Sequence, residues 1–591
     1  MIMEEKQTKE KKISFIAAML IVIGGSIGAG IFFKSGAVLK SSHSSLILAI
    51  FCWIIASFAV IAMALSLIEI SSVKNDNLSL MSWCKVFNSK RIFRASKDFM
   101  TYIYLPLTYL FMPMYVIMSL QDGVGALMNK DALTFGTNAD WLIWLSISLL
   151  MTVYFLTVPA IWSKVGSVQN IVVLSVKFIP LVFITIMGFV LAFTGNGGLN
   201  EVNWTMPAPD QTFAEAIKSG KSVTALPKLG AGLGVFLAVA AIFFAYDGFY
   251  VAAGIQSEMK EPKKTPLAIF IGLGITTLIY LIVAISMSLN GGSFFGFNGY
   301  MSSLFKNEKA GRIVFGLINI CISIGVLGII NGFSMWAPRY VEDLLATGDL
   351  PFWEKWHKKL NPNKPYVGII YSLVITIPVV IIFTTIGALA YIADNSDYTI
   401  YSSDAHQSMA RLYAFCDLMA NWTALFTFGF IAVAIYGGIK NRKTNKIEIK
   451  NKKKYFLPFA WISVILVGFS LAVTILAPIT DMFLLAGVNK DYVDYSVDSS
   501  LGNATLEEYV KAIDASRAEM YKNLIISRVA LVCVLGIFAM LTFLPAVIED
   551  AINKKKYGSL ETYEEYKAQK LAELSKEEAT LTKQKPVEVQ A

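Results

Sequence analysis

The sequence IGGSIGAGIF, residues 23–32, lies in the middle of an apolar run from about residue 13 to residue 38. Four glycines fall within seven positions of this run, which is otherwise typical of a membrane helix: Gly24, Gly25, Gly28 and Gly30. Each glycine costs a helix interior about 1 kcal/mol relative to alanine, so the cluster predicts a break in the helix. Glycines at four-residue spacing also let two membrane helices approach closely, and for this stretch alone that alternative stays open.

A helix break inside a membrane has a chemical consequence. An unpaired backbone group is costly in hydrocarbon, so a break survives only inside protein or beside a water-filled cavity. The N–H groups at the start of the second half-helix then face that cavity, and together with the helix dipole they favour an anion such as a carboxylate. The glycine-rich stretch therefore predicts an anion-binding site.

The composition is that of a polytopic membrane protein. Of the 591 residues, 55% are hydrophobic and only 16% are charged, and the mean hydropathy is +0.58. A soluble domain is usually about 25% charged. The pattern predicts an all-α fold with about twelve membrane-spanning helices, at roughly 13–38, 44–70, 99–120, 141–159, 168–194, 229–257, 266–289, 311–337, 366–390, 410–437, 456–477 and 524–548.

The distribution of Lys and Arg predicts the orientation. Loops of one set are rich in these residues: 71–98, 258–265, 338–365 and 438–455. The opposite loops are poor in them, and the long one at 478–523 is acidic. Because basic loops stay inside, both termini are expected in the cytoplasm of a cell-membrane protein. The apolar run after the lysine-rich N-terminus is too long for a signal-peptide core, so we expect no cleaved signal.

Segments outside the membrane carry little chemical character. We expect 195–228 and 478–523 to be external polar loops, the second with a helical segment around 506–516. The tail from Lys554 mixes Glu, Lys and Ala and is expected to be a solvated helix or a disordered tail. The net charge of +9 comes largely from such loops and tails, so it bears on orientation rather than on nucleic-acid binding.

A second informative sequence, FFAYDGF, spans residues 243–249 of the sixth predicted helix. A carboxylate in mid-membrane is expensive and by default marks a substrate or ion pathway. Asp247 could bind a substrate ammonium, pair with a lysine, or cap a second half-helix by accepting from its N–H groups. Spans one and six are five apart, and interrupted helices at matching positions of two halves are the best sequence indication of a transporter's binding site.

These residues resemble the amino acid–polyamine–organocation (APC) superfamily of transporters, and most closely its L-type amino acid transporter branch with its bacterial relatives. The resemblance covers roughly residues 13–440. Its carriers are GGSIGAGIF at 24–32, FAYDGF at 244–249, SEMKEPKK at 257–264, QN at 169–170 with KFIP at 177–180, PR at 338–339 through GDLP at 348–351, and CDLMANW at 416–422.

The resemblance implies two inverted five-helix repeats with broken first and sixth helices, plus two peripheral helices. The implied divisions are an N-terminal tail 1–12, a first repeat 13–194, an extracellular loop 195–228, a second repeat 229–437, the peripheral helices 438–548 with the extracellular loop 478–523, and a cytoplasmic tail 549–591.

It also implies where an amino acid would bind. The substrate carboxylate would meet backbone amides of the first helix: Ile27, Gly28, Ala29 and Gly30. The ammonium would meet carbonyls at both breaks: Ser26, Phe244, Ala245 and Asp247. Phe249 would lie near the substrate side chain as a gate or lid. Two positions depart from the family pattern, because Ala29 replaces a frequent Ser or Thr and Asp247 stands where a glycine is common.

Two further ionisable residues lie within predicted spans. Lys177 is about 15 Å along its helix at 1.5 Å per residue, too deep for easy snorkelling, and it is a candidate for proton coupling through carbonyls around Ile23 and Gly24. A structural pairing of Lys177 with backbone carbonyls stays open. Asp417 lies nearer the end of its span and is expected at the membrane interface. Gly125 is expected in the loop after span three, where leucine should be tolerated.

The sequence thus predicts a secondary transporter of amino acids, neutral ones above all, working by alternating access with proton coupling or exchange. Its partners would be the substrate, protons and the lipid bilayer, with no cofactor, metal, nucleic acid or obligatory protein partner. The spans lack the nucleophile–base or metal groupings of an enzyme. Two alternatives stay open: a carrier or antiporter of polyamines or cationic amino acids, and a transporter-like sensor.

Overall fold

The computed structural model describes residues 14–584 except 28–29, 43–44, 75, 131, 138, 198, 200–212, 220–229, 251–259, 291–296, 362–363, 393–406, 451 and 494–504. Its helices are α1 Phe15–Ser26, α2 Gly30–Ser41, α3 Leu46–Ser71, α4 Leu80–Phe87, α5 Lys90–Phe99, α6 Leu105–Leu127, α7 Asp140–Ile161, α8 Ser163–Phe193, α9 Phe213–Lys218, α10 Gly230–Ala245, α11 Thr265–Ser288, α12 Phe297–Phe305, α13 Glu308–Ala346, α14 Trp353–Trp356, α15 Tyr366–Thr385, α16 Gln407–Thr444, α17 Phe456–Leu484, α18 Leu506–Tyr557 and α19 Leu560–Gln584.

The all-α membrane class is confirmed. Ten helices in the described part of the chain are long and apolar enough to cross a membrane. The predicted first span is present as the two short helices α1 and α2, and the predicted sixth span as α10 and the turn after it. The exact number of spans, the inverted repeats and the domain boundaries stay predictions.

Local signals explain several helix ends. Ser45 caps α3, its Oγ accepting from the N–H of Leu48 at 3.3 Å. Thr505 and Glu508 form a reciprocal capping box at the start of α18. Between α5 and α6, residues Met100–Tyr104 widen into a π-helix, so α5 and α6 run on as one long helix with an irregular turn inside it. Such π-turns are frequent at functional sites.

Helix packing brings the two interrupted spans together. In the described residues, α2 packs on α10, while α10 also contacts α3 and α16. α1 packs on α11, and α13 lies against α6, α7, α8 and α15. The buried side chains of these helices form one large apolar cluster, and the breaks of both interrupted spans lie within it.

The structure adds detail on the segments outside the spans and corrects two expectations. α17 runs on to Leu484 and α18 begins at Leu506, so both ends of the predicted external loop 478–523 are helical, and the helical segment expected around 506–516 is part of α18. The tail forms α19, which packs on the rest of the molecule through the buried side chains of Tyr563 and Leu574 and is therefore not simply solvated. Gly125 lies inside α6, where an added Cβ would be 2.6 Å from backbone atoms of Ala132, so it has no room for leucine.

Candidate functional site

The first break lies between α1 and α2. The N–H of Ile27 still donates to the carbonyl of Ile23 at 2.9 Å, and α2 starts at Gly30. Ser26 is the last residue of α1. Gly28 and Ala29, two of the predicted carboxylate-binding positions, lie outside the described residues.

The second break follows Ala245, where α10 ends in a turn through Tyr246, Asp247 and Gly248. Gly248 has φ +97°, a conformation that favours glycine. One oxygen of Asp247 accepts from the Gly248 N–H at 3.0 Å, and the other accepts from the Tyr104 hydroxyl at 2.8 Å. Asp247 therefore stabilises the turn, and Tyr104 lies in the π-helical turn before α6.

The two breaks touch each other at Gly30 and Ala245. A Cβ added to Gly30 would lie 2.7 Å from the Cα of Ala245. Cβ atoms essentially never come this close to backbone, so only glycine lets the start of α2 meet the end of α10 here. The positions predicted for the carboxylate and the ammonium thus adjoin one another in space.

Side chains of neighbouring helices hold the end of α10 in place. The Tyr280 hydroxyl donates to the Ala245 carbonyl at 2.8 Å. The Tyr246 hydroxyl is bonded to Ser57 at 2.8 Å and to Thr277 at 2.9 Å. The Ala245 carbonyl, one of those expected to meet a substrate ammonium, therefore already accepts one hydrogen bond. It can still accept a second one from a ligand through its other lone pair.

Lys177 reaches the first break from α8. Its Nζ donates to the Ile27 carbonyl at 3.0 Å, rather than to carbonyls around Ile23 and Gly24 as expected. The backbone of α13 passes close by, since a Cβ on Gly325 would lie 3.5 Å from the Lys177 Cβ. The lysine therefore contacts the residue that joins α1 to α2.

A buried ion pair above the break was missed by the sequence analysis. Lys34 of α2 is fully buried, and its ammonium pairs with the Asp417 carboxylate of α16. The Lys34 ammonium also donates to the Tyr115 hydroxyl at 2.9 Å, and that hydroxyl donates to Asp417 at 2.9 Å. Asp417, which the sequence analysis expects at the membrane interface, is thus paired with a buried cation. The available signal was Lys34 itself, an ionisable residue inside a predicted span.

Aromatic rings surround this pair. The Lys34 Nζ lies 4.5 Å from the centroid of the Phe244 ring, within the range of a cation–π contact. Phe244 also meets Phe111 edge-on at 5.5 Å. Phe249 is buried and packs against Phe428 of α16 at 5.1 Å. Phe244 thus faces α2 and α6, whereas Phe249 faces α16.

The chain is similar in sequence to curated proteins of two bacteria. The chain is 54% identical over 576 residues to an uncharacterized protein of Mycoplasma pneumoniae, covering 96% of this chain and 99% of that one. It is 25% identical over 379 residues to the serine/threonine exchanger SteT of Bacillus subtilis, covering 63% of this chain and 77% of the exchanger.

Two solved structures also overlap with the chain. A mutant form of the manganese transporter of Eremococcus coleocola gives a TM-score of 0.45 at 12% identity, covering 89% of this chain and 96% of that one. MhsT in complex with L-phenylalanine gives 0.44 at 14% identity, covering 79% and 100%.

The family model for amino acid permeases matches residues 13–483, which include both breaks, Lys34, Lys177 and Asp417. That match extends over most of the chain. The helices, the two adjoining breaks and the family match agree on a multi-pass membrane transporter of small molecules, and the chain belongs to the amino acid permease family.

Proposed function

We propose that this permease carries neutral amino acids across the cell membrane by alternating access, with the substrate held between the two helix breaks. The observation that carries the proposal is the contact of Gly30 with Ala245, which sets the start of α2 beside the end of α10. A helix start offers N–H groups and a positive dipole end to a carboxylate, and a helix end offers carbonyls to an ammonium. The two charged groups of an amino acid match these two ends.

The roles of individual residues follow from this placement. Backbone amides of Ile27, Gly28, Ala29 and Gly30 would bind the carboxylate. Carbonyls of Ser26, Phe244, Ala245 and Asp247 would bind the ammonium, and Phe249 would flank the substrate side chain. The surrounding wall is apolar, which favours neutral side chains. The similarity to SteT, a serine/threonine exchanger, makes serine and threonine the first substrates to test.

The Lys34–Asp417 pair would close one side of this site. It joins α2, the helix that follows the first break, to α16. The centroid of the Phe244 ring lies 4.5 Å from the Lys34 ammonium. In the orientation proposed here the pair lies on the external side of the break, since α2 leads toward the external loop. Access from that side would require the pair to separate.

Lys177 would couple transport to protons. A lysine in a low-dielectric bundle is costly to keep charged, so it can lose and regain a proton. When charged it binds the Ile27 carbonyl, at the joint between α1 and α2. Protonation shifts the conformational balance only if one state offers that carbonyl better than the other.

The proposed orientation has both termini in the cytoplasm. Loops assigned to the cytoplasm contact one another in the structure: Lys85 bonds Asp349, and the tail helix bonds both Lys90 and Asp349. Segments 71–98, 338–365 and the tail therefore share one face, as the basic-loop rule requires of cytoplasmic segments.

Uptake into proteoliposomes tests the proposal. Purified protein is given labelled serine, and unlabelled neutral amino acids compete with their decarboxylated amines. We expect the amino acids to reduce uptake and the amines to leave it unchanged, because the amines lack the carboxylate that α2 would bind. Equal competition by the amines would contradict the assignment and favour a polyamine carrier.

A further inference from the structure

The proposed transport function leaves α19 and its docking surface unexplained. We call the loop face the surface made of α4, α5 and residues 346–365. α19 lies on this face after a turn at Gly558, which has φ +83°. Tyr563 and Leu574 of α19 are buried, with 7% and 4% of their surfaces exposed. The helix is thus docked by apolar burial as well as by charge.

Asp349 is the centre of the docking contacts. Its two carboxylate oxygens accept from Lys567 of α19 at 2.9 Å and from Lys85 of α4 at 2.8 Å. Its backbone carbonyl accepts from Lys97 of α5 at 2.6 Å. One residue thus links α19 to α4 and α5, which lie far from it in the sequence.

Gly348, the residue before Asp349, leaves room for the side chain of Lys567. Gly348 has φ +67°, and a Cβ there would lie 2.7 Å from the Cε of Lys567. The lysine stem therefore passes directly over the glycine on its way to Asp349. Further contacts follow along α19: the Trp353 indole donates to the Tyr563 hydroxyl at 3.4 Å, and Lys358 pairs with Glu577 at 2.9 Å.

The linked segments belong to different halves of the transporter. α4 and α5 lie within the predicted first repeat, and residues 346–365 lie within the predicted second repeat. Alternating access moves one repeat or bundle against the other. A helix bonded to both halves resists that motion, because its contacts must stretch or break.

We propose that α19 regulates transport as a detachable clasp. When α19 is docked on Asp349, it holds the two halves of the transporter together at the loop face. When α19 is released, the loop face can open and the rate of transport increases. The proposal rests on the transport function and cytoplasmic orientation proposed above. It assigns to the tail a control of the cycle that is separate from substrate binding.

Cys84 of α4 supplies a readout that needs no substrate. Its thiol is fully buried and donates to the Phe430 carbonyl of α16 at 3.6 Å. Burial raises the pKa of this thiol to about 12, against the effect of a hydrogen bond with Ser96. A buried thiol of this kind is inert to maleimides, so its alkylation reports the separation of α4 from its neighbours.

The experiment compares Lys567→Ala with Lys570→Ala in the full-length protein. Lys570 is on the same helix but pairs with Glu573 within α19, so it is the matched control. In Lys567→Ala we expect amide exchange over residues 560–574 to be about tenfold faster, because a charge-assisted bond to a buried carboxylate is lost. Alkylation of Cys84 by N-ethylmaleimide, read by mass spectrometry, and the rate of serine uptake should both rise. Lys570→Ala should leave all three unchanged.

A truncation after Gly558 removes the helix outright and should raise Cys84 alkylation at least as much. If α19 exchanges faster or is absent while Cys84 alkylation stays unchanged, α19 is only a structural anchor and the clasp is rejected. If alkylation rises but uptake does not, the clasp opens the face without controlling transport, and the proposal is likewise overturned. If the unmodified protein transports no amino acid, the substrate assignment fails, whereas Cys84 alkylation still decides whether α19 holds the loop face.

Discussion

Gly30 and Ala245 meet where the two interrupted spans cross, with room for no atom between the glycine Cα and the alanine backbone. An added Cβ at Gly30 would stand 2.7 Å from the Ala245 Cα. This contact joins the start of one half-helix to the end of another, and the proposed site is built around it.

The first prediction concerns this contact. Gly30→Ala should abolish uptake while membrane insertion persists, because overpacking a helix contact costs about 1–3 kcal/mol and displaces the two breaks. Uptake and the amount of protein in the membrane are measured together. Gly468→Ala in α17 is the control, since nothing lies within 4 Å of a Cβ added there. Full uptake by the Gly30→Ala variant would place the site elsewhere.

The second prediction concerns the Lys34–Asp417 pair. Removing one partner from a buried pair costs about 3–5 kcal/mol, because the other charge is left uncompensated. Lys34→Met and Asp417→Leu should each lower the Tm of the purified protein strongly, and the double variant should recover part of that loss. Thermal unfolding in detergent checks this. If the two single effects simply add in the double variant, the two charges do not stabilise each other.

The third prediction concerns Lys177. Lys177→Ala should abolish accumulation of substrate against its gradient while exchange of labelled for unlabelled substrate persists, because the switchable cation at Ile27 is lost. Uptake in the unmodified protein should depend on a pH gradient and not on sodium. Lys164→Ala, an exposed position on the same helix, is the control. Accumulation by Lys177→Ala under a pH gradient would leave that lysine a purely structural role.

The fourth prediction concerns the pH dependence of α19 docking. Burial acts to raise the pKa of Asp349, but Lys567 and Lys85 outweigh it and hold the pKa below the ordinary value of 3.8. A carboxylate with a lowered pKa stabilises the docked state above its ordinary pKa and loses this effect only as the pH falls through the lowered value.

Docking should therefore be constant from pH 8 to about pH 5 and weaken only below about pH 4. The measurement is the distance between spin labels on α5 and α19, at Arg91→Cys and Ala568→Cys, two exposed positions. Undocking between pH 6 and pH 7 would mean that a group other than Asp349 controls the helix.

Local sequence was enough to predict both breaks. Asp247 and Gly248 act on their own backbone, so the turn there could be predicted without knowing the rest of the fold. The close contact that requires glycine at position 30, by contrast, comes from Ala245. The helical class and most span positions followed in the same way from hydropathy.

The long-range pairs could not be predicted. Lys34 and Asp417 are 383 positions apart, and Asp349 and Lys567 are 218 apart. Which lysine meets which carboxylate depends on how helices pack, and the sequence offers many candidates of each sign. The same reason explains why Gly125 was misplaced, since its crowding comes from Ala132 folding back onto α6.

The occupied carboxylate of Asp247 has a consequence for affinity. Because the Gly248 N–H and the Tyr104 hydroxyl already bond its two oxygens, the second break is rigid before any solute arrives. A preorganised receptor loses little conformational entropy on binding, so more of the interaction energy remains as affinity. Relaxing this turn, for example by Tyr104→Phe, should therefore weaken binding through a larger entropic penalty, visible in calorimetry, although the hydroxyl itself need not contact the ligand.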